Sequence, residues 1–194
     1  SNQEIIRRYY AALNGLAEGT AQEEEAFKIE LLMKQAHITV EDRKVVDAAL
    51  KRAEETNGPA AAMELPNGQI ITGKTSCLLG ASSALLLNAL KNLAGLNDEL
   101  HLISPSVIEP IQKLKTEYLG SINPRLHTDE ILIALSICAA TDDNAKLALE
   151  QIPKLSGCQA HTSVMLSSVD IKQFKRLNVQ LTSEAKYENK RIYH

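Results

Sequence analysis

The stretch Gly68-Gln69-Ile70-Ile71-Thr72-Gly73-Lys74-Thr75 has the spacing G-x-x-x-x-G-K-[ST] of a phosphate loop. In such a loop backbone amides cradle phosphates and the lysine reaches the terminal ones. A working loop needs a hydrophobic strand ending at the first glycine, then a flexible turn, then a helix beginning at the lysine. Here Pro66-Asn67-Gly68 reads instead as a two-residue turn between apolar runs, and an Asn-Gly in that setting is a strong hairpin signal. Ile70, Ile71 and Thr72 are consecutive β-branched residues, stiff and averse to left-handed backbone, so they favour a strand over a loop. A turn followed by a strand is the better reading of this segment. What survives is Gly73, Lys74, Thr75 and Ser76 at a strand-to-helix junction, where amide donors, Lys74 and two hydroxyls could bind an anion. The plainer alternative is that Thr75 or Ser76 caps the helix and Lys74 is solvated.

A second constellation is Asn123-Pro124-Arg125-Leu126-His127-Thr128-Asp129-Glu130. Arg125 suits a carboxylate or phosphate clamp, and His127 with Asp129 suits proton transfer. The competing reading is an ordinary helix start, with acids favoured by the helix dipole and one of them paired to Arg125. Ser82 and Ser83 with Lys74 contain the types of a Ser-Lys nucleophile pair, although spacing alone does not bring the amine to a hydroxyl. His161, between polar neighbours in a strand, is a further catalytic candidate. His37, His101, His127, His161 and His194 show no metal-ligand spacing, so no metal site is expected.

The elements that must position these residues follow from periodicity. Residues 3–57 carry three amphipathic helical patterns, the second behind the acidic trio Glu23-Glu24-Glu25, the third starting at Thr39 with Asp42 as its capping-box partner. Asn57-Gly58-Pro59 closes this segment. Strands are expected at 60–65 and 69–72, then an apolar helix at 77–94, a buried strand at 100–103, and a helix at 105–119 opened by Ser104-Pro105. A helix capped by Thr128, another starting at Asp142 or Asp143, and strands at 158–167 and 179–183 around a helix at 168–177 complete the order. The fold class is therefore α+β: an N-terminal helical segment (1–58), then an α+β domain (59–194) with a mixed sheet of about five strands packed with helices.

Composition narrows the function classes. A net charge of -3 with no basic block argues against nucleic acid or an anionic membrane as partner. The apolar run at 78–96 contains Asn88, Lys91 and Asn92, which suits a buried helix and not a membrane span. Three cysteines without a C-x-x-C pair fit reduced thiols in the cytoplasm. The start at Ser1-Asn2 in place of Met reads as a tag remnant on a piece of a longer protein.

The segments QEIIRRYY, ELPNGQIITGKTS, LLGASSALLLNALK, LHLISPSVIEPIQ, NPRLHTDEILIALSICAAT and LEQIPKLSGCQAHTSVMLSSVD resemble the C-terminal portion of the bacterial DUF eighteen-forty-six family, from Gln3 to His194. The resemblance implies a parent of roughly five hundred residues. It also implies a glycine-rich, phosphate-loop-like segment in the N-terminal portion, outside this sequence, and a label of putative ATP-dependent peptidase on some members. It supplies no catalytic residues. The run Gly80 to Ala84 is also similar, over five residues only, to Lon-type proteases and to small-molecule kinases of related fold. The expectation is a C-terminal module that forms a phosphate- or nucleotide-related small-molecule site with the N-terminal half. No cofactor is expected within this segment and no activity from it alone. The alternatives are a non-catalytic assembly module, with homo-oligomerisation, and a Ser-Lys hydrolase.

Overall fold

A computed structural model describes residues 1–188, so His194 lies outside the described residues. Three helices, α1 (Asn2–Glu18), α2 (Glu23–Gln35) and α3 (Lys44–Thr56), precede a hairpin of β1 (Ala60–Glu64) and β2 (Ile70–Lys74). Then come α4 (Ala81–Leu93), α5 (Pro105–Lys113), α6 (Thr128–Cys138) and α7 (Asp143–Leu149). The chain closes with β3 (Gln159–Thr162), α8 (Ser168–Arg176) and β4 (Gln180–Ser183).

The strands form one mixed α+β sheet in the order β2-β1-β3-β4, antiparallel except for the β3–β4 pair that α8 connects. Side chains alternate across it, as a pleated strand requires. Ala61 and Met63 join a core with Leu85, Leu86 and Leu90 of α4, whereas Ala62 packs with Val45 and Ala49 of α3. A strand covered by helices on both faces is apolar throughout, which is why β1 reads Ala-Ala-Ala-Met. A smaller cluster (Ile6, Tyr10, Ile29, Met33, Val46) ties α1 and α2 to α3.

The hairpin has a three-residue loop, one longer than the two-residue turn expected. Leu65 N donates to Gln69 O (2.8 Å) and Gly68 N to Leu65 O (2.8 Å). Pro66 fits the first turn position, and Gly68 takes the left-handed backbone (φ 86°) that restores strand register. Ile70, Ile71 and Thr72 lie in β2, so the first part of the phosphate-loop spelling is a hairpin.

Gly73 is required for a different reason. A Cβ there would strike the amide nitrogen of Leu85, would lie 2.7 Å from the Leu85 Cα, and would sit 2.8 Å from Ala81 O. The backbone of α4 thus packs directly on β2, and no flexible side chain can give way.

Several expectations need correction. Among the described residues the sheet has four strands, not five, and residues 100–103 join no ladder. Asn97 turns the chain locally, its side chain accepting Glu99 N (2.9 Å), and the following apolar residues bury Leu102 and Ile103 against α4's core without a ladder. Thr39 and Asp42 do bond (Thr39 N to Asp42 Oδ2, 2.9 Å), but they close a single 3-10 turn, Val40–Asp42. The break before α3 lets Arg43 enter the sheet. Its guanidinium donates to Ala160 O (2.8 Å), Gln180 O (2.8 Å) and Thr182 Oγ1 (3.0 Å). The helix expected from 77 starts at Ala81, because Ser76 closes a turn onto Leu78 and Leu79 first.

Replacing Gly73 by Ala is expected to destabilise the protein by roughly 3 kcal/mol, the upper end for overpacking against rigid atoms. Gly68→Ala, which meets open space and only backbone strain, is expected to cost about 1 kcal/mol. Urea unfolding of the two variants measures both, and equal losses would contradict the packing role of Gly73.

Candidate functional site

The site is built where two irregular segments are stitched together. Residues 76–80 lead into α4, and residues 121–127 lead into α6. Leu126 N donates to Leu78 O (3.0 Å), Gly80 N to Leu126 O (3.4 Å), and the Ser83 hydroxyl to the same Leu126 O (2.8 Å). Arg125 Nε donates to Ser76 O. Beneath this loop Lys115, buried in the π-helical turn Leu114–Tyr118 that continues α5, donates to Arg125 O and to Glu130 Oε1 (2.8 Å). Glu130 in turn accepts His127 N (2.8 Å), closing the first turn of α6. The loop is held at each end by charged or backbone hydrogen bonds, so its side chains are fixed.

Between this loop and the strand ends lies a cavity of about 160 Å³, lined by Thr75, Ser82, Arg125, His127 and Asp170 among others. The start of α4 forms one wall. Gly80, its N-cap, has no side chain, and the amides of Ala81, Ser82 and Ser83 find no capping acceptor among the described residues. Free amides of a helix first turn, with the dipole behind them, favour a negative group. Ser82 is 3 % exposed, and its hydroxyl has no hydrogen-bond partner among the described residues.

His127 stands opposite an acid that the sequence did not reveal. Its Nδ1 lies 3.3 Å from Asp170 Oδ2, while Asp170 Oδ1 accepts from Thr128 N (3.0 Å) and Thr128 Oγ1 (2.6 Å). The hydrogen bond to Asp170 raises the His127 pKa above its ordinary value; burial and Lys115 oppose this, and the charges of Asp170 and Glu130 add to it. Burial pushes the Asp170 carboxyl upward, but the hydrogen bonds from His127 and Thr128 outweigh it and hold it below its ordinary value. A raised histidine stabilises fully below its unfolded pKa and loses that as pH climbs through the folded one. A lowered carboxyl stabilises above its unfolded pKa and loses that as pH falls through the folded one. The pair therefore contributes most between the ordinary values of 3.8 and 6.5.

Of the residues singled out from sequence, Thr75, Arg125 and His127 share this cavity. Lys74 is exposed at the end of β2 and does not line it; with α4 starting at Ala81, Gly73 to Ser76 are not a helix N-terminus. Ser76 contributes its carbonyl to Arg125. Asp129 accepts the amide of Glu130 (2.9 Å) and stands outside. Thr128, expected as the cap of α6, is its first residue, and His127 occupies the cap position. Neither serine is bonded to Lys74, and Ser83 is committed to Leu126 O. His161 is fully buried on the α1–α3 side of the sheet, where its nitrogens meet Thr182 Oγ1 (2.7 Å) and Glu184 Oε2 (2.7 Å) and its ring packs on Tyr10 (4.8 Å). Burial there lowers its pKa despite Glu184. Among the described residues no three His, Cys, Asp or Glu side chains are placed to hold a metal ion, and no helix is long and apolar enough to cross a membrane.

The family profile described as "Domain of unknown function DUF1846, C-terminal" matches residues 41–193. The chain belongs to the DUF1846 family. It is 52% identical over 193 residues to a UPF0371 protein of Corynebacterium efficiens and 51% identical over 193 residues to one of Corynebacterium diphtheriae. It is 46% identical over 193 residues to a UPF0371 protein of Streptococcus pyogenes serotype M3. Each match covers 100% of this chain and 39% of the relative, so these DUF1846 relatives carry a larger further part.

The two histidines should titrate in opposite directions from 6.5: His127 above, His161 below, as read by imidazole NMR shifts. A His127 value at or below 6.5 would mean that the Asp170 bond does not form in solution. Asp170→Ala, which strands the buried amide and hydroxyl of Thr128, is expected to cost roughly 2 kcal/mol at pH 5–6.

Proposed function

We propose that the cavity at the start of α4 binds an oxyanion, in the first place the phosphoryl group of a small molecule or nucleotide, and that the remainder of the longer protein completes the site. The observation that carries this reading is the convergence of uncapped helix amides with Arg125 and His127 on one small cavity. Helix amides supply directional donors, the guanidinium supplies fixed charge, and the Asp170-held imidazole supplies a second charge that depends on pH. At about 160 Å³ the cavity admits an anionic group with little beyond it. Recognition of a whole ligand falls to groups from the rest of the protein.

A second reading, an assembly module, is favoured by exposed apolar side chains beside the site: Leu114, Tyr118, Leu119 and Ile122 before the loop, Ile133 and Ile137 on α6. Such a surface suits docking against the N-terminal part or a second copy. The two readings are compatible, since a partner seated there would wall the cavity.

Calorimetric titration of the full-length protein with inorganic phosphate and with ATP, at pH 6 and pH 8.5, tests the first reading. Binding is expected to weaken, by up to about tenfold, as pH rises through the His127 pKa, with Arg125→Ala weakening it at either pH. Absence of binding at pH 6 by the full-length protein would overturn it.

A further inference from the structure

Two hydroxyls that line the cavity, those of Thr75 and Ser82, have no hydrogen-bond partner among the described residues, and Ser82 is the more deeply buried. Thr56 and Thr116 donate back to carbonyls of their own helices, Ser83 donates to Leu126 O, Thr128 donates to Asp170, and Ser167 accepts Asp170 N at the start of α8. Ser82, buried like Ser83 and Thr128, has no such partner among the described residues. Two side-chain atoms among the described residues are sealed from solvent without a hydrogen bond, Arg52 Nε and Gln151 Oε1. The Ser82 oxygen is not one of them, so the little surface it keeps opens on the cavity it lines with His127 and Asp170. A hydroxyl in the first turn of a helix, a histidine whose Nδ1 is tied to a buried carboxylate, and free amides on either side are the parts of a serine nucleophile site.

We propose that Ser82 is the nucleophile of an acyl-transfer reaction on small esters, with His127 as its proton acceptor, Asp170 as the positioning residue and the first-turn amides of α4 as oxyanion donors. This rests on the oxyanion reading of the same cavity and assigns a reaction to it. Asp170 at Nδ1 fixes the tautomer that leaves Nε2 to act as base. The Ser82 Oγ–H bond breaks as Oγ–C forms at the acyl carbon, and the proton passes to Nε2. The carbonyl oxygen becomes the oxyanion facing the amides. Collapse of this intermediate breaks the ester C–O bond, and the departing alkoxide takes the proton from His127. Water, deprotonated by the same Nε2, then releases the acid and regenerates Ser82. Ser82 and His127 are not hydrogen-bonded to each other here. Bases of this kind commonly come within reach only as substrate fills the gap.

The test uses the full-length protein, a fluorophosphonate probe and p-nitrophenyl acetate, read by intact mass, peptide mapping and released nitrophenol. A single adduct on Ser82 is expected, forming faster as pH rises through the His127 pKa. Ser82→Ala should lose the adduct while keeping the wild-type circular dichroism and urea midpoint, which show that it is folded. His127→Gln should react at least 100-fold more slowly, and Asp170→Asn should move the pH profile to lower pH. Phosphate binding by the wild type without an adduct at Ser82 overturns the nucleophile and leaves the oxyanion site standing. Absence of both overturns the two together. An adduct that forms in His127→Gln at the wild-type rate overturns the assigned base.

Discussion

The close approach of α4 to β2 at Gly73 is the constraint on which the site depends. With no Cβ in the way, the backbone around Ala81 and Leu85 settles onto the strand, and the first turn of α4 is brought to the end of the sheet. That placement sets the path of residues 76–80, and their carbonyls and amides then hold residues 121–127 through Leu126. Arg125 and His127 are thereby carried to the mouth of the helix. A side chain at position 73 would push α4 outward and open the seam from which the cavity is made.

The opposite wall is fixed from the far side of the sheet. Arg43 donates to carbonyls of both β3 and β4, so the parallel pair is clamped at the strands that α8 connects. Asp170 sits in the first turn of α8, and its position opposite His127 follows from that clamp. The two faces of the sheet thus hold histidines of opposite character. His161, enclosed with Tyr10, Thr182 and Glu184, is kept towards the neutral form by burial. His127, bonded to a carboxylate at a cavity, is kept towards the charged form. Partner and solvent access, not residue type, decide which one can do proton chemistry.

Much of the scaffold was legible because local rules and tertiary packing agree there. Gly19 ends α1 in a left-handed cap, Asn57 ends α3 likewise, Asn67-Gly68 makes the hairpin, and the β-branched run makes β2. The errors lie where apolar character reports burial without specifying its form. Leu102 and Ile103 are buried without joining a strand ladder among the described residues, and residues 77–80 are apolar but extended, bonded to a loop more than forty positions away. The site was half legible. Arg125 and His127 stand out by type and proximity, but Asp170 is 43 positions further on and carries the same signature as any acid at a helix start. Ser82 was visible, but was matched with Lys74, because nothing in the sequence says that the lysine points away from the helix.

The glycine-lysine-threonine spelling shows why a motif is tested by its setting. Each letter has a local cause here: Gly68 a left-handed turn, Gly73 a helix packed on its strand, Lys74 an exposed strand end, Thr75 a cavity wall. A phosphate loop would place its lysine inside the first turn of the helix. In this chain the helix begins seven residues after Lys74, at Ala81, and the uncapped amides are those of Ala81, Ser82 and Ser83, which follow a second glycine, Gly80. On the proposed oxyanion reading, the chemistry implied by the motif is displaced, not abolished. A strand, a glycine and an uncapped helix recur in the right order, and a neighbouring loop brings Arg125 and His127 to the cavity that no lysine among the described residues lines.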